Sequence, residues 1–152
     1  MPILEIITTP NPILRQKAKK VDLKKISKKE LEQLAQDMVL TVTKADGAGL
    51  AAPQVGVSLR LIAVNHQKEC LALINPEIIT HSWSKELMPE GCLSVPGRYG
   101  EVKRYKWVKI KAQTIDGKAF EIKAEKLLSQ IFQHEIDHLD GILFTDKAMK
   151  LF

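Results

Sequence analysis

Cysteines and long apolar runs are the features that this sequence has least of. Only Cys70 and Cys92 occur among 152 residues, so at most one disulfide could form, and a secreted fold built on several disulfides is excluded. No apolar run approaches the roughly 20 residues that a membrane-spanning helix needs. Residues 1–12 also lack the basic and apolar regions of a secretory signal. We therefore expect reduced thiols, no membrane partner and a cytoplasmic location.

Acidic residues are outnumbered, and aromatic residues are scarce. Lysine and arginine number 23 against 18 acidic residues, which gives a net charge of +5, and only 5% of residues are aromatic. The lysines cluster at 17–20 and 24–29, where they could attract a polyanion such as RNA. No aromatic residue interleaves with them and no nucleic-acid motif accompanies them. Solubility is therefore the favoured interpretation, and direct DNA binding is not expected.

Length and periodicity favour a single α+β domain over residues 1–152. A chain of this length with 45% hydrophobic residues can bury a real core. Ser27 and Glu30 have the form of a capping box, and apolar residues then recur at helical spacing. The sequence therefore predicts an N-terminal amphipathic helix over residues 28–45.

The middle of the chain is predicted to form short antiparallel strands. Asn75-Pro76 is expected to break the strand pattern, and Asp116-Gly117 is a hairpin turn signal between two alternating segments. A helix over residues 125–140 follows, and we expect the sheets to pack around it. The predicted extended segments are 59–64, 70–74, one or two strands over 77–87, a short piece over 88–97, 102–113 and 120–124.

The C-terminal helix carries residues 133–138, with the sequence QHEIDH. Helical spacing puts His134 and His138 on one face, one turn apart, where both imidazoles can hold one metal ion. Glu135 beside them can move a proton. Such a short pattern also arises by chance in buried amphipathic helices. A third ligand and an oxyanion donor elsewhere in the chain would decide between these interpretations.

Few residues could supply the third ligand. Downstream of His138 the only further candidates are Asp140, Asp146 and the chain terminus, and Phe144 stands where the metzincin pattern requires a histidine. Upstream, Cys92 is the best candidate. A thiolate combined with two imidazoles suits Zn²⁺, Fe²⁺ or Co²⁺.

Three segments together resemble the signature motifs of peptide deformylases. They are residues 47–54 (GAGLAAPQ), 90–94 (EGCLS) and 133–138 (QHEIDH), in the order of that family and at plausible separations. The resemblance covers nearly the whole chain. It implies a hydrolase that removes the N-formyl group from formyl-methionyl peptides or nascent proteins and releases formate.

The resemblance also implies roles for particular residues. Cys92, His134 and His138 would hold one divalent metal ion, which is Fe²⁺ in the cell for typical members, with Zn²⁺, Ni²⁺ or Co²⁺ accepted. Hydroxide generated on the metal would attack the formyl carbon, and Glu135 would act as general base and then general acid. The remaining catalytic role, donation to the oxyanion, falls to the side chain of Gln54 and the backbone N–H of Leu93.

By the same resemblance, the peptide would bind in an extended form against exposed backbone. Glu90 would pair with Arg104 and brace the second motif. Many bacterial members carry a further C-terminal helix linked to ribosome docking. The sequence stops at Phe152, so docking through such a helix is not expected, and any ribosome association is expected to be transient. The predicted substrate-binding residues are Gly47, Ala48, Gly49, Met88, Glu90, Gly91, Leu127 and Ile131.

Two other functions share part of this pattern. A metallopeptidase that cleaves ordinary peptide bonds would also carry HExxH, but it does not explain Cys92 within EGCLS or Gln54 at the end of a small-residue motif. A non-catalytic module that binds metal or formyl peptide would have lost its catalytic carboxylate, whereas Glu135 is present. Turnover of formyl-capped against acetyl-capped peptides separates the first from a deformylase.

Overall fold

The computed structural model describes residues 3–152, and the N-terminal part of the chain leads into a long helix. A short 3-10 helix, Pro12–Arg15, comes first, followed by α1, Lys28–Lys44. The hydroxyl of Ser27 accepts a hydrogen bond from the backbone N–H of Glu30 (3.3 Å), so the predicted cap is present. The predicted helix over 28–45 is confirmed to within one residue.

Eight antiparallel strands form two sheets within the described residues. The strands are β1 (Gly49–Ala51), β2 (Leu61–His66), β3 (Glu69–His81), β4 (Lys85–Cys92), β5 (Val95–Tyr105), β6 (Trp107–Gln113), β7 (Ala119–Glu125) and β8 (Ala148–Leu151). The five-stranded sheet has the order β1-β2-β3-β6-β7, and the three-stranded sheet has the order β4-β5-β8. The predicted hairpin around Asp116-Gly117 is confirmed as β6 and β7.

The predicted break at Asn75-Pro76 is wrong, because β3 runs through it. The pairing of β3 with β6 shifts register between Ile74 and Glu77, so Pro76 lies at a bulge where no ladder N–H is required. Asn75 adopts a positive φ of 53°, which asparagine tolerates better than most residues. Its side chain accepts from the N–H and donates to the C=O of Val21. Residues 77–81 therefore continue β3, and the segment over 88–97 belongs to the β4–β5 hairpin.

The second main helix, α2, spans Lys126–Leu139 and is buried along most of its length. At its C-terminus the N–H of Gly141 donates to His138 O and the N–H of Ile142 donates to Asp137 O. This is the Schellman pattern, and Gly141 supplies the left-handed residue with φ 75°. A Cβ at this position would lie 2.5 Å from the carbonyl oxygen of Arg15, so glycine is also required by space.

Two apolar clusters place the helices against the sheets. Ile62, Val108 and Ile110 of the larger sheet pack with Phe132 and Leu139 of α2. A second cluster joins α1 to β2 and the first half of β3. The fold class is α+β, with antiparallel sheets around α2 as predicted. A third, smaller helix, α3 (Phe144–Lys147), leads into β8.

Candidate active site

Cys92, at the end of β4, meets two histidines of α2. Its Sγ lies 3.2 Å from His138 Nε2, and His138 Nε2 lies 3.2 Å from His134 Nε2. All three donor atoms lie within 4.8 Å of one another. A tetrahedral ion with bonds of 2.0–2.3 Å separates its nitrogen ligands by about 3.3 Å. The donor set therefore fits one divalent metal ion in both chemistry and spacing.

His134 is oriented by a buried carboxylate. Its Nδ1 lies 2.6 Å from Glu90 Oε1, so a proton on Nδ1 leaves Nε2 free as a ligand. His138 has no such partner, since its buried Nδ1 makes no hydrogen bond within residues 3–152. Burial, followed by the neighbouring His134, lowers the pKa of His138 well below its usual value. His138 is therefore neutral, as a metal ligand must be.

Glu90 also makes the predicted pair with Arg104. Arg104 donates to both carboxylate oxygens of Glu90 (2.6 and 2.8 Å) and to Asp137 (2.6 Å), and its side chain is only 2% exposed. Burial alone would raise the pKa of Glu90, but hydrogen bonds from Arg104 and His134 outweigh it and lower the pKa to about 2. We call Glu90, Arg104 and Asp137 the buried ion network. It ties the ligand helix to the strand that carries Cys92.

Glu135 is buried beside the ligands without a comparable partner. Its Oε1 is 3.9 Å from His134 Nε2, and its Oε2 is one of the buried atoms that make no hydrogen bond in the part of the chain described. Burial raises the pKa of Glu135 to about 7. Gly49 makes room for it, because a Cβ there would lie 2.7 Å from Oε1. A carboxyl group poised in this way can accept and release a proton near neutral pH.

The other two predicted catalytic residues lie beside Cys92. Gln54 belongs to the 3-10 turn Ala52–Val55, and its buried side chain places Nε2 3.7 Å from Cys92 Sγ. Leu93 directly follows Cys92 and is half-buried. Both residues line the cavity that also contains Glu135. The three motifs therefore converge on one space.

That cavity has a volume of about 480 Å³. Seven of the eight predicted substrate residues line it, and Met88 does not. Met88 pairs with Val102 and lies two positions along β4 from Glu90. Because a strand advances by about 3.3 Å per residue, Met88 is about 6.6 Å along the strand from the lining residue Glu90. Sequence reasoning also missed lining residues: Gln130 could have been found from its i,i+4 spacing to His134, but Val95 carries no such signal. The seven are Gly47, Ala48, Gly49, Glu90, Gly91, Leu127 and Ile131.

Comparisons with known proteins agree with this geometry. Residues 3–151 match the family described as Polypeptide deformylase. A peptide deformylase of Halothermothrix orenii is 50% identical over 153 residues, covering 99% of this chain and 97% of that protein. One from Dictyoglomus thermophilum is 49% identical over 97% of this chain and 94% of its own length. The crystal structure of a peptide deformylase from Thermotoga maritima superposes with a TM-score of 0.93 at 36% identity, covering 99% of this chain and 100% of that one.

Across the described residues, no helix combines the length and apolar character needed to cross a membrane.

Proposed function

The chain belongs to the peptide deformylase family, and we propose that it removes the formyl group from formyl-methionyl peptides by metal-dependent hydrolysis. It is a hydrolase of that family, so deformylation of nascent peptides is its activity. The observation that supports the metal-dependent route is the meeting of Cys92, His134 and His138 beside Glu135, whose Oε2 makes no hydrogen bond among residues 3–152.

We propose Cys92, His134 and His138 as the ligands of one divalent ion. A bound divalent cation supplies Lewis-acid chemistry, since it lowers the pKa of water from about 16 to near 7 and polarises a carbonyl group. A thiolate with two imidazoles accepts several ions. We propose Fe²⁺ in the cell, with Zn²⁺, Ni²⁺ and Co²⁺ as substitutes.

Glu135 is the proposed proton carrier. It takes a proton from the attacking water and delivers it to the leaving amine, so that one water and one formamide give formate and a free amino terminus. Its Oε2 is free of side-chain and backbone partners among residues 3–152, and the pKa of the buried carboxyl, about 7, suits both halves of this cycle. Gln54 Nε2 and the N–H of Leu93 are the proposed donors to the developing oxyanion.

The peptide is proposed to lie in an extended form between two backbone segments. Gly47 and Gly49 precede and begin the edge strand β1, and Gly91 lies at the end of β4 across the cavity. Adding a strand to such edges gives affinity through main-chain hydrogen bonds. Leu127 and Ile131 of α2 offer the apolar wall for the methionine side chain.

The discriminating experiment compares formyl-Met-Ala with acetyl-Met-Ala under anaerobic conditions, with metal analysis of the same sample. Formate release from the formyl peptide, with little turnover of the acetyl peptide, is expected. Equal or greater cleavage of internal peptide bonds would identify a metallopeptidase instead. Cys92→Ala should lose metal affinity, and full metal occupancy in that variant would remove Cys92 from the ligand set.

We further propose that the enzyme acts in the cytoplasm on chains leaving the ribosome and contacts the ribosome only transiently. The net charge of +5 is compatible with weak attraction to RNA. Co-sedimentation with ribosomes that is lost between low and moderate salt is the expected result. Binding that persists at high salt would contradict a transient contact.

A further inference from the structure

The side chain of Gln54 is held in one orientation by two contacts. Its Oε1 accepts the backbone N–H of Ala51 (2.9 Å), and its Nε2 lies 3.0 Å from Ser94 Oγ. A backbone N–H can only donate, so the amide atom facing Ala51 is oxygen and the atom facing Ser94 is the NH₂ group. The contacts themselves therefore assign the amide, and Ser94 Oγ is the acceptor.

The Ser94 contact directs the second N–H of Gln54 to the metal-ligand side. An amide NH₂ carries two hydrogens, and Ser94 takes one. The other is directed towards Cys92 Sγ in a long hydrogen bond (3.7 Å), and Gln54 lines the cavity there. Without an acceptor at Ser94 the amide would be restrained only through Oε1 and this long contact to sulfur, so its second N–H would be less closely directed.

The backbone around this pair is fixed by one segment near the N-terminus. Ile7 N–H donates to Gln54 O (2.7 Å), and Thr9 N–H donates to Ser94 O (2.9 Å). Ser94 is completely buried and Gln54 is 1% exposed. Water therefore does not compete for this hydrogen bond, and residues 7–9 tie the backbones of the two residues to one segment.

We propose that Ser94 is a positioning residue: its buried hydroxyl orients the Gln54 amide so that the remaining N–H donates to the oxyanion. This inference rests on the proposed function, in which Gln54 is an oxyanion donor. Donors of this kind stabilise the transition state only when they are held in place beforehand. Ser94 acts through Gln54 and makes no contact with the reacting atoms.

The test is a double-mutant cycle between Ser94→Ala and Gln54→Leu, with formate release from formyl-Met-Ala as the assay. Gln54→Leu removes the donor and should lower kcat by roughly 10²- to 10³-fold. Ser94→Ala should lower kcat by roughly 10- to 100-fold with KM and metal content unchanged, since the donor is displaced but present. In the Gln54→Leu background, Ser94→Ala should change kcat by less than about twofold.

The chain provides a matched control in a second buried serine–glutamine pair. Ser129 Oγ accepts from Gln133 Nε2 (2.9 Å), and Gln133 Oε1 accepts the N–H of Tyr105 (2.9 Å), but neither side chain lines the cavity. Ser129→Ala should lower thermal stability about as much as Ser94→Ala while kcat stays within about twofold of wild type. If Ser94→Ala does not fold, Ser94→Cys takes its place, because a thiol is a similar but weaker acceptor.

The outcomes separate failure of this inference from failure of the proposed function. If Gln54→Leu lowers kcat but Ser94→Ala does not, or if the two effects multiply, the positioning role of Ser94 is overturned. If Ser129→Ala lowers kcat as much as Ser94→Ala, the effect is structural and the role is again overturned. If wild-type protein releases no formate, the proposed function itself is contradicted. If Gln54→Leu is fully active, Gln54 is not the oxyanion donor in that proposed function.

Discussion

Two buried glutamates stand on either side of His134, and their surroundings differ. Glu90 is 7% exposed and Glu135 is 3% exposed, yet the pKa of Glu90 falls to about 2 while that of Glu135 rises to about 7. Both oxygens of Glu90 accept hydrogen bonds from Arg104. One oxygen of Glu135 accepts none within residues 3–152. Burial is common to both residues, so the partners account for the difference.

The contrast separates the residues that hold the geometry of the site from Glu135, the residue proposed to carry the proton. A buried carboxylate with charged donors stays ionised and fixes geometry. A buried carboxyl without them binds a proton more readily and can exchange it near neutral pH. Loss of Arg104 should therefore disturb the geometry that Glu90 fixes. Loss of the Glu135 carboxyl should instead remove the proton exchange. The following changes test this division.

The largest effect on stability is expected for Arg104→Leu. This change leaves Glu90 as a buried charge without its guanidinium partner, whereas Asp137, which is 14% exposed, still pairs with Lys147 (3.0 Å). Breaking a buried pair such as Arg104–Glu90 costs about 3–5 kcal/mol. Denaturant unfolding of wild type and variant measures the difference. Adding Glu90→Leu to Arg104→Leu should recover part of the loss. A decrease below about 1 kcal/mol in Arg104→Leu would show that the network does not hold the fold.

The paired glutamate also predicts an acid-dependent loss of stability. The pKa of Glu90 is about 2 in the folded protein against an ordinary value of 4.5. Because the folded pKa is depressed, the stabilisation is fully present above pH 4.5 and is lost as pH falls towards 2. It is worth on the order of 3 kcal/mol. Unfolding curves from pH 6 to 2, with a chelator present, should show this additional loss in wild type but not in Glu90→Gln. Parallel curves would contradict it.

A side chain placed against Glu135 is expected to have a smaller effect on stability. A methyl group on residue 49 would lie 2.7 Å from Glu135 Oε1, so Gly49→Ala should destabilise the protein by about 1–3 kcal/mol and displace the carboxylate. Unfolding and formate release measure the two consequences. In a Glu135→Ala background the destabilisation should largely disappear. If it persists unchanged, the backbone of Gly49 is responsible and the contact with Glu135 is not.

The smallest effect is expected for an ion pair at the surface. Arg15 pairs with Asp146, and their side chains are 52% and 39% exposed. Arg15→Ala should lower the free energy of unfolding by less than about 1 kcal/mol, since exposed pairs gain little over water. Thermal unfolding of Arg15→Ala beside Arg104→Leu gives the comparison directly. Losses of similar size would remove the distinction between buried and exposed pairs.

Local sequence signals were sufficient where one residue type dictates one conformation. Ser27 predicted the start of α1 and Asp116-Gly117 predicted the hairpin, and the structure confirms both. The strand break predicted at Asn75-Pro76 was wrong, because proline at a bulge does not have to donate a ladder hydrogen bond. A bulge can be recognised only from the pairing with the partner strand.

The site shows the same limit. His134 and His138 could be predicted to meet from helical spacing alone, whereas their approach to Cys92 depends on how the sheets pack against α2. Whether Met88 lines the cavity depends on the same packing, and it does not line the cavity that the other seven predicted substrate residues share. The proposed role of Ser94 could not be predicted from the sequence, because it depends on the Gln54 amide lying 3.0 Å away in the folded protein.

The most direct test of the division between holding and working residues is formate release by Glu135→Gln at matched metal content. The amide keeps the shape of the carboxyl but cannot carry a proton, so the account predicts wild-type metal content and a turnover lower by about 10²- to 10⁴-fold. Near-normal turnover in this variant, with metal bound, would contradict the account.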